Sequence, residues 1–273
     1  MQLNPKSITS QELQGILQTS VAPRPIALAS TLDKDGNSNV SPFSFFNIFS
    51  TNPPILIFSP ARRVRDNSIK HTLENVKEVA EVAIGVVNYA LVQQVSLAST
   101  EYDKGVNEFI KAGLTEEKSV CIQPSIIAEC PVNFECKVIE IKELGQEGGA
   151  GNLVICEIVH IHIHDSILNE EGKISQDKID LVGRLGGDLY CRTFPNALFT
   201  VPKPLVKKGI GFDNLPKEIL HSVVFTGNDL GMLANIESLP IGHFTSDCEL
   251  HKRAKILLQQ NKIEQAWQLL ISI

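Results

Sequence analysis

Short apolar runs separated by turn residues set the pattern of the first third of the chain. Pro25 to Thr31 (Pro-Ile-Ala-Leu-Ala-Ser-Thr) is β-prone, and Ser38 to Phe46 follows it across Asp33-Lys-Asp-Gly-Asn37. Asp35-Gly36 between two such runs predicts a two-residue hairpin, because both turn positions ask for positive φ. Asn52-Pro53-Pro54 stops that segment, and Ile55 to Phe58, apolar throughout, predicts a strand buried on both faces. A polar, basic loop from Ser59 to Asn67 comes next. Asn67 or Ser68 is placed to cap a helix running through His71, Leu73, Val76 and Val79, with Glu74 and Glu78 on its wet side. Glu81 to Val87 returns as a strand.

Beyond it, Tyr89 to Ala98 and Val106 to Ala112 read as short helices, the second ended by Gly113. Val132 to Leu144 and Asn152 to His164 read as long strands joined by the glycine-rich loop Gly145-Gln-Glu-Gly-Gly-Ala-Gly151. Strands dominate and no βαβ alternation appears, so the pattern predicts a closed antiparallel barrel with helices at its rim. After Pro202-Lys-Pro204 the composition shifts: Pro216 to His221, Asn228 to Asn235 and Asp247 to Leu270 read as helices, with no strong strand among them. Residues 1–205 are therefore expected to form the barrel domain and 206–273 a helical C-terminal extension.

Composition changes this picture little. With 43% hydrophobic and 21% charged residues the chain is an ordinary globule. A net charge of −6 gives no reason to expect nucleic acid or an anionic membrane as partner, so any anion site must be local. The longest apolar runs fall far short of the roughly 18 to 20 residues that span a bilayer, and the start carries no signal-peptide pattern. The six cysteines contain no C-x-x-C pair, which favours reduced thiols and a cytoplasmic location.

Three clusters carry candidate chemistry. The first is the basic loop and helix start with Arg62, Arg63, Arg65, Asn67, Ser68, Lys70, His71 and Thr72. A helix N-terminus offers unpaired N–H groups and about half a positive charge, and a guanidinium can fork onto two oxygens, so the set suits a phosphate monoester. The bland alternative is a solvated basic loop. The second is Ser41-Pro-Phe-Ser-Phe-Phe-Asn47, where Pro42 lets backbone amides turn from sheet pairing toward a planar heterocycle; otherwise its phenylalanines are simply core. The third is His160, His162 and His164, which strand alternation puts on one face opposite Val159, Ile161 and Ile163. No fourth ligand is readable, so a wet face or subunit contact is preferred to a metal site. No Walker loop, dinucleotide fingerprint, nucleophile elbow or zincin motif is present.

At this point a resemblance enters. Pro23-Arg-Pro-Ile26, Asp35-Gly-Asn37, Asn39-Val-Ser-Pro-Phe-Ser-Phe-Phe-Asn47, Asn52-Pro-Pro-Ile55, Lys70-His-Thr72 with Asn75, Tyr102 with Gly105-Val-Asn-Glu-Phe109, and Leu185-Gly-Gly187 with Tyr190 resemble flavin-reductase-like, FMN-binding split-barrel proteins, the group that includes flavoredoxin. The match runs in order over about residues 12 to 205. It implies a mainly β, antiparallel split β-barrel with FMN at a homodimer interface. By resemblance the flavin ring falls to Ser41, Pro42, Phe43, Ser44 and Asn47. The phosphate and ribityl end falls to Ser59, Ala61, Arg62, Arg65, Lys70, His71 and Thr72, with Tyr102 and Asn107 nearby. Family members often carry Asp where this chain has His71.

The function so implied is a cytoplasmic homodimeric NAD(P)H-dependent flavin reductase, taking hydride from NADH or NADPH onto FMN. Hydride transfer to a flavin needs stacking and distance rather than a nucleophile, so no catalytic residue is assigned. Two other readings stand beside it. One is an FMN-binding electron carrier without NAD(P)H activity. The other is an interaction protein using the amphipathic tail of Ala254, Leu257, Leu258, Ile263, Ala266, Trp267 and Leu270, broken around Gln260-Asn261.

Overall fold

The computed structural model describes residues 1–202 and 208–272, which form two compact units, Met1–Leu198 and Phe199–Ile273. The expected boundary at 205/206 lies outside the described residues. In the first unit the chain forms α1 (Ser10–Ser20), β1 (Ala27–Leu32), β2 (Ser38–Phe43), β3 (Phe46–Thr51), β4 (Pro54–Phe58), α2 (His71–Glu78) and β5 (Glu81–Val86). It continues through α3 (Val92–Leu97), α4 (Glu108–Ala112), the two-residue strands β6 (Glu116–Glu117) and β7 (Ile126–Ile127), and the long strands β8 (Val132–Glu143) and β9 (Asn152–Ile163). Helix α5 (Gln176–Ile179) and the hairpin β10 (Val182–Arg184) with β11 (Tyr190–Arg192) complete it.

Seven strands make one antiparallel sheet in the order β2-β1-β5-β8-β9-β4-β3. Its two edge strands, β2 and β3, are consecutive in the chain with only Ser44 and Phe45 between them. The sheet must therefore curl until its edges nearly meet. They are not paired with each other, so the barrel is split where the sequence pattern predicts a closed one. Pro42 sits on one of these edges, the sheet position that tolerates a missing N–H.

Period-two alternation sorts β1 between two cores. Ala27 and Ala29 join Leu56, Phe58, Leu73, Val76 and Ile84 beneath α2, while Ile26 and Leu28 join Leu91, Val95, Phe109 and Ile127 beneath α3 and α4. Each large side chain so buried contributes about 1.5–3 kcal/mol.

The expected hairpin is present with a wider turn. β1 ends at Leu32 and β2 begins at Ser38, and Gly36 (φ 85°) takes the left-handed conformation while Asp35 does not. The Asp33 carboxylate organises the loop instead, accepting from the amides of Asp35 (3.0 Å) and Asn37 (2.8 Å). Helix α2 also starts later than expected: its N-cap is Lys70, which makes no side-chain capping bond, whereas Ser68 is tied back to Asp66.

The second unit contains α6 (Lys217–Leu220), α7 (Gly227–Ala234), β12 (His243–Phe244), α8 (Cys248–Gln259), α9 (Ile263–Leu270) and β13 (Ile271–Ser272). Its own core gathers Leu215, Ile219, Leu233, Ala254, Leu258, Trp267 and Leu270. The predicted break between two amphipathic helices falls at Asn261, which takes φ 58°. The short β12–β13 pairing, absent from the sequence expectation, ties the segment before α8 to the end of α9.

Candidate functional site

The corner between β2 and β3 forms one wall of a cleft of about 400 Å³, lined there by Pro42, Phe43, Ser44 and Phe45. The opposite wall is the chain from Ser59 through Ala61, Arg62, Arg63, Val64 and Arg65 to Lys70, and Glu101 with Gln14 and Gln18 of α1 completes the lining. That volume lies within the range of small-molecule sites, about 300–1,000 Å³. A smaller cavity shares Arg63, Lys70 and Glu101 with it and adds Ser41, His71, Thr72 and Tyr102.

Four cations line the cleft against one carboxylate, Glu101. Arg63 donates to Glu101 at 2.8 Å, to Ser68 Oγ at 2.8 Å and to the Ile69 carbonyl at 2.9 Å, and Arg65 also pairs with Glu101. These bonds, Arg65 first and then Arg63, hold the Glu101 carboxyl below its usual range. Arg62 is different. Its Nη1 donates to the Asn67 carbonyl at 3.2 Å, but its buried Nε has no partner among the described residues. The Lys70 ammonium makes no hydrogen bond or ion pair among them either. Burial, and then the like charge of Arg63, lower its pKa, with Glu101 and Glu108 pulling the other way. An unsatisfied buried donor such as the Arg62 Nε costs about 1–3 kcal/mol, and together with the partly buried Lys70 ammonium it favours a ligand that brings acceptor oxygens.

Packing explains how the basic loop is held. The glycine-rich β8–β9 connection props it from behind, with Arg62 N donating to the Ala150 carbonyl (2.8 Å) and Gly149 N to the Arg62 carbonyl (3.0 Å). A Cβ on Gly148 would stand 3.0 Å from the Val64 carbonyl oxygen, so any larger residue there would press the loop backbone outward by a few tenths of an ångström. Asn152, wholly buried, donates from Nδ2 to the Pro60 carbonyl at 2.8 Å and from its amide to Ser59 Oγ at 3.1 Å.

Twelve of the fourteen residues named from the sequence line one of these two cavities. Two do not. Asn47 is exposed on β3 and its Oδ1 accepts from the next amide, Ile48 N. Asn107 caps α4, accepting from Phe109 N at 2.8 Å and donating to Glu116. Thr72 is present but committed: its hydroxyl donates to Asn39 Oδ1 at 2.9 Å inside a buried network that reaches Glu108. Phe43 packs on Phe58 in the core, while Phe45 stays 40% exposed.

The sequence motifs assigned no site role to Glu101, to Gly148 of the glycine-rich loop or to Arg24 of Pro23-Arg-Pro-Ile26. Arg24 is 7% exposed as a residue, and its guanidinium bonds only neutral groups: the carbonyls of Gln18, Val21 and Leu185, and Ser44 Oγ at 3.4 Å. A charged residue at the start of an apolar strand run was the available signal. Away from the cleft, the three histidines do not form a metal centre: among the described residues no group of His, Cys, Asp or Glu is arranged to hold one. His162 Nε2 instead donates to Glu135 at 2.6 Å.

Residues 19–178 match the flavin reductase like domain family. A protein of Aquifex aeolicus is 36% identical over 174 residues, 64% of this chain and 86% of its own length. The structure of 2-nitrobenzoate 2-nitroreductase from Pseudomonas fluorescens superposes with a TM-score of 0.66 at 27% identity, covering 77% of this chain and all of that one. A split barrel domain protein of Shewanella frigidimarina gives a TM-score of 0.62 at 25% identity, over 74% of this chain and 99% of that one. The whole length of the nitroreductase thus leaves about a quarter of the present chain without a counterpart. The split antiparallel barrel, the cation-lined cleft at its corner and the family match agree: the chain belongs to the flavin reductase-like family of flavin-binding oxidoreductases.

Proposed function

We propose that the chain binds FMN in this cleft and passes reducing equivalents to it from NADH or NADPH, as a cytoplasmic homodimer. One observation carries the reading: in a chain of net charge −6, four cations meet one carboxylate in the cleft, and the Arg62 Nε and Lys70 donors have no acceptor among the described residues. A phosphate monoester dianion supplies the acceptors and offsets most of the charge, which a neutral flavin without phosphate does not. Ser59, held by Asn152, adds a wall at the same end.

Pro42, Phe43, Ser44 and Phe45 form the wall suited to a flat ring. Arg24 holds Ser44 in place and sets a buried positive charge behind it. When bound, FMN supplies a ring that takes up hydride and releases electrons in one- or two-electron steps. The chain's own work is to orient that ring, neutralise its phosphate and shelter the exchange from water. The nitroreductase activity of the Pseudomonas relative supports a redox role for this cleft. The exposed apolar residues Phe45 at the corner and Ile48 and Phe49 on the edge strand β3 support coverage by a second copy.

A visible absorption spectrum and an FMN fluorescence titration test the cofactor. Colourless protein that leaves flavin fluorescence unquenched refutes the reading. Anaerobic stopped-flow with NADH and NADPH tests the donor: flavin-loaded protein bleached by neither nucleotide is an electron carrier instead. Light scattering gives the dimer mass.

A further inference from the structure

A second pocket, of about 490 Å³, lies between α3 and the β10–β11 hairpin. A neck of about 150 Å³ lies between it and the cleft: Ser96, Ser99, Arg184 and Tyr190 line both pocket and neck, and Pro42 and Ser44 line both neck and cleft. It is on the side of the cleft's ring wall, since the neck shares Pro42 and Ser44 with the cleft and none of the basic loop.

Two arginines border this pocket and differ in what they have left to offer. Arg192 is committed, with its guanidinium on both oxygens of Asp180 (2.7 and 2.8 Å) and 3.7 Å above the Tyr89 ring. Arg184 lies 4.5 Å above the Tyr190 ring, and its carboxylate neighbour is Asp188, fully exposed and 3.9 Å away. An exposed pair at that distance is worth little, so Arg184 keeps most of its charge for a ligand. Behind it stands Arg24, bonded only to neutral groups and tied to Arg184 by reciprocal backbone hydrogen bonds of 3.0 and 2.9 Å. Burial, and then the Arg184 charge, lower the Arg24 pKa, so an anion arriving here relieves a repulsion already present. Val92 and Val182 make the adjoining surface apolar, and the Ser96 hydroxyl is a neutral donor at the neck, the Ser99 hydroxyl being engaged with the Ser96 carbonyl at 2.6 Å.

A guanidinium with open donor sites, aromatic rings and an apolar slot together select a flat ring bearing one carboxylate. We propose that this pocket binds a planar aromatic carboxylate, its carboxylate on Arg184 and its ring in the slot of Val92 and Val182, facing the neck. That such a ligand would lie beside a flavin rests on the function proposed above; its binding does not.

Calorimetric titration of the full chain with benzoate, benzamide and cyclohexanecarboxylate tests this, alongside a separate FMN titration of the same preparation. Benzoate binds, while benzamide, lacking the charge, and cyclohexanecarboxylate, lacking the flat ring, bind at least about tenfold more weakly. R184Q weakens benzoate by about tenfold or more and R184K by less, with the FMN titration of each variant reporting that the fold is intact. Absence of benzoate heat, equal binding of benzoate and benzamide, or an R184Q affinity equal to wild type overturns the proposal. So does NADH binding that R184Q weakens while benzoate gives no heat, which assigns the pocket to the nucleotide. Benzoate binding by protein that fails to take up FMN upholds this site and removes the proposed function alone.

Discussion

Replacing Lys70 by Met should weaken FMN binding and strengthen the ligand-free protein, two opposite signs from one feature. The Lys70 ammonium is partly buried without an acceptor among the described residues and beside the like charge of Arg63. Met keeps the length and packing of the stem and drops the charge. It takes no capping bond from α2, because the Lys70 side chain makes none. In the free protein the change removes a desolvated charge, a gain on the order of 1 kcal/mol. In the complex it removes one charge-assisted hydrogen bond to phosphate, worth about 1.5–3 kcal/mol, or roughly ten- to a hundredfold in Kd. Linkage sets the pH dependence. The Lys70 pKa lies below its usual 10.5 in the free protein and rises when a phosphate dianion is beside it, so binding takes up a proton between the two values. Wild-type affinity therefore falls as pH rises through that interval, and the K70M affinity does not. Flavin fluorescence quenching across the alkaline range and urea unfolding of the apo form read both effects. A Kd within about threefold of wild type, or an apo midpoint that drops, would refute the role given to Lys70.

Three further outcomes follow from the same geometry. E101Q frees the nitrogens of Arg63 and Arg65 and removes the carboxylate from the cleft, so FMN should bind several-fold tighter in a titration; an unchanged Kd counts against the phosphate assignment. N107A loses the α4 cap, about 1 kcal/mol of stability by urea unfolding, with FMN affinity unaltered, and a weakened Kd would make Asn107 a ligand after all. E135Q should cost about 2–4 kcal/mol at pH 7, because a wholly buried carboxylate there accepts from Val120 N (2.7 Å), Cys121 N (2.6 Å) and His162 (2.6 Å), and an amide leaves one donor facing another. Burial raises the Glu135 pKa, but the Val120 amide, His162 and the Cys121 amide together bring it below the usual 4.5. Its contribution is thus complete above that value and is lost as pH falls through the lower folded pKa. A wild-type minus E135Q difference that does not shrink on acidification contradicts this account.

Local chemistry made much of the first unit legible. Alternation and turn residues placed β1, β4, β5, β8 and β9 within a residue or two, because side-chain period and proline or glycine punctuation act over a few residues. The run Ser38 to Phe46, however, breaks at Phe43 and resumes as β3 from Phe46, a corner the pattern did not show. The same short-range signals gave α2 its face and the α8–α9 pair its break at Asn261. They also marked the basic loop as a candidate anion site.

Long-range packing decided the rest. Whether the barrel closes depends on β2 meeting β3 across the curled sheet, and no period along either strand encodes that pairing. The turn at Gly36 widened because the Asp33 carboxylate captured two amides, a competition between side chain and ladder that a dipeptide signature does not weigh. Asn47 lies in the same motif as Ser44, yet the two positions diverge once the chain turns the corner: Ser44 faces the cleft and Asn47 the solvent. The sequence by itself determined that cationic and hydroxyl donors are gathered between Ser59 and Thr72. Only the tertiary structure decided which of them are free, because Glu101 engages Arg63 and Arg65 from some 36 to 38 positions away while the Arg62 Nε and the Lys70 ammonium are left with no acceptor among the described residues.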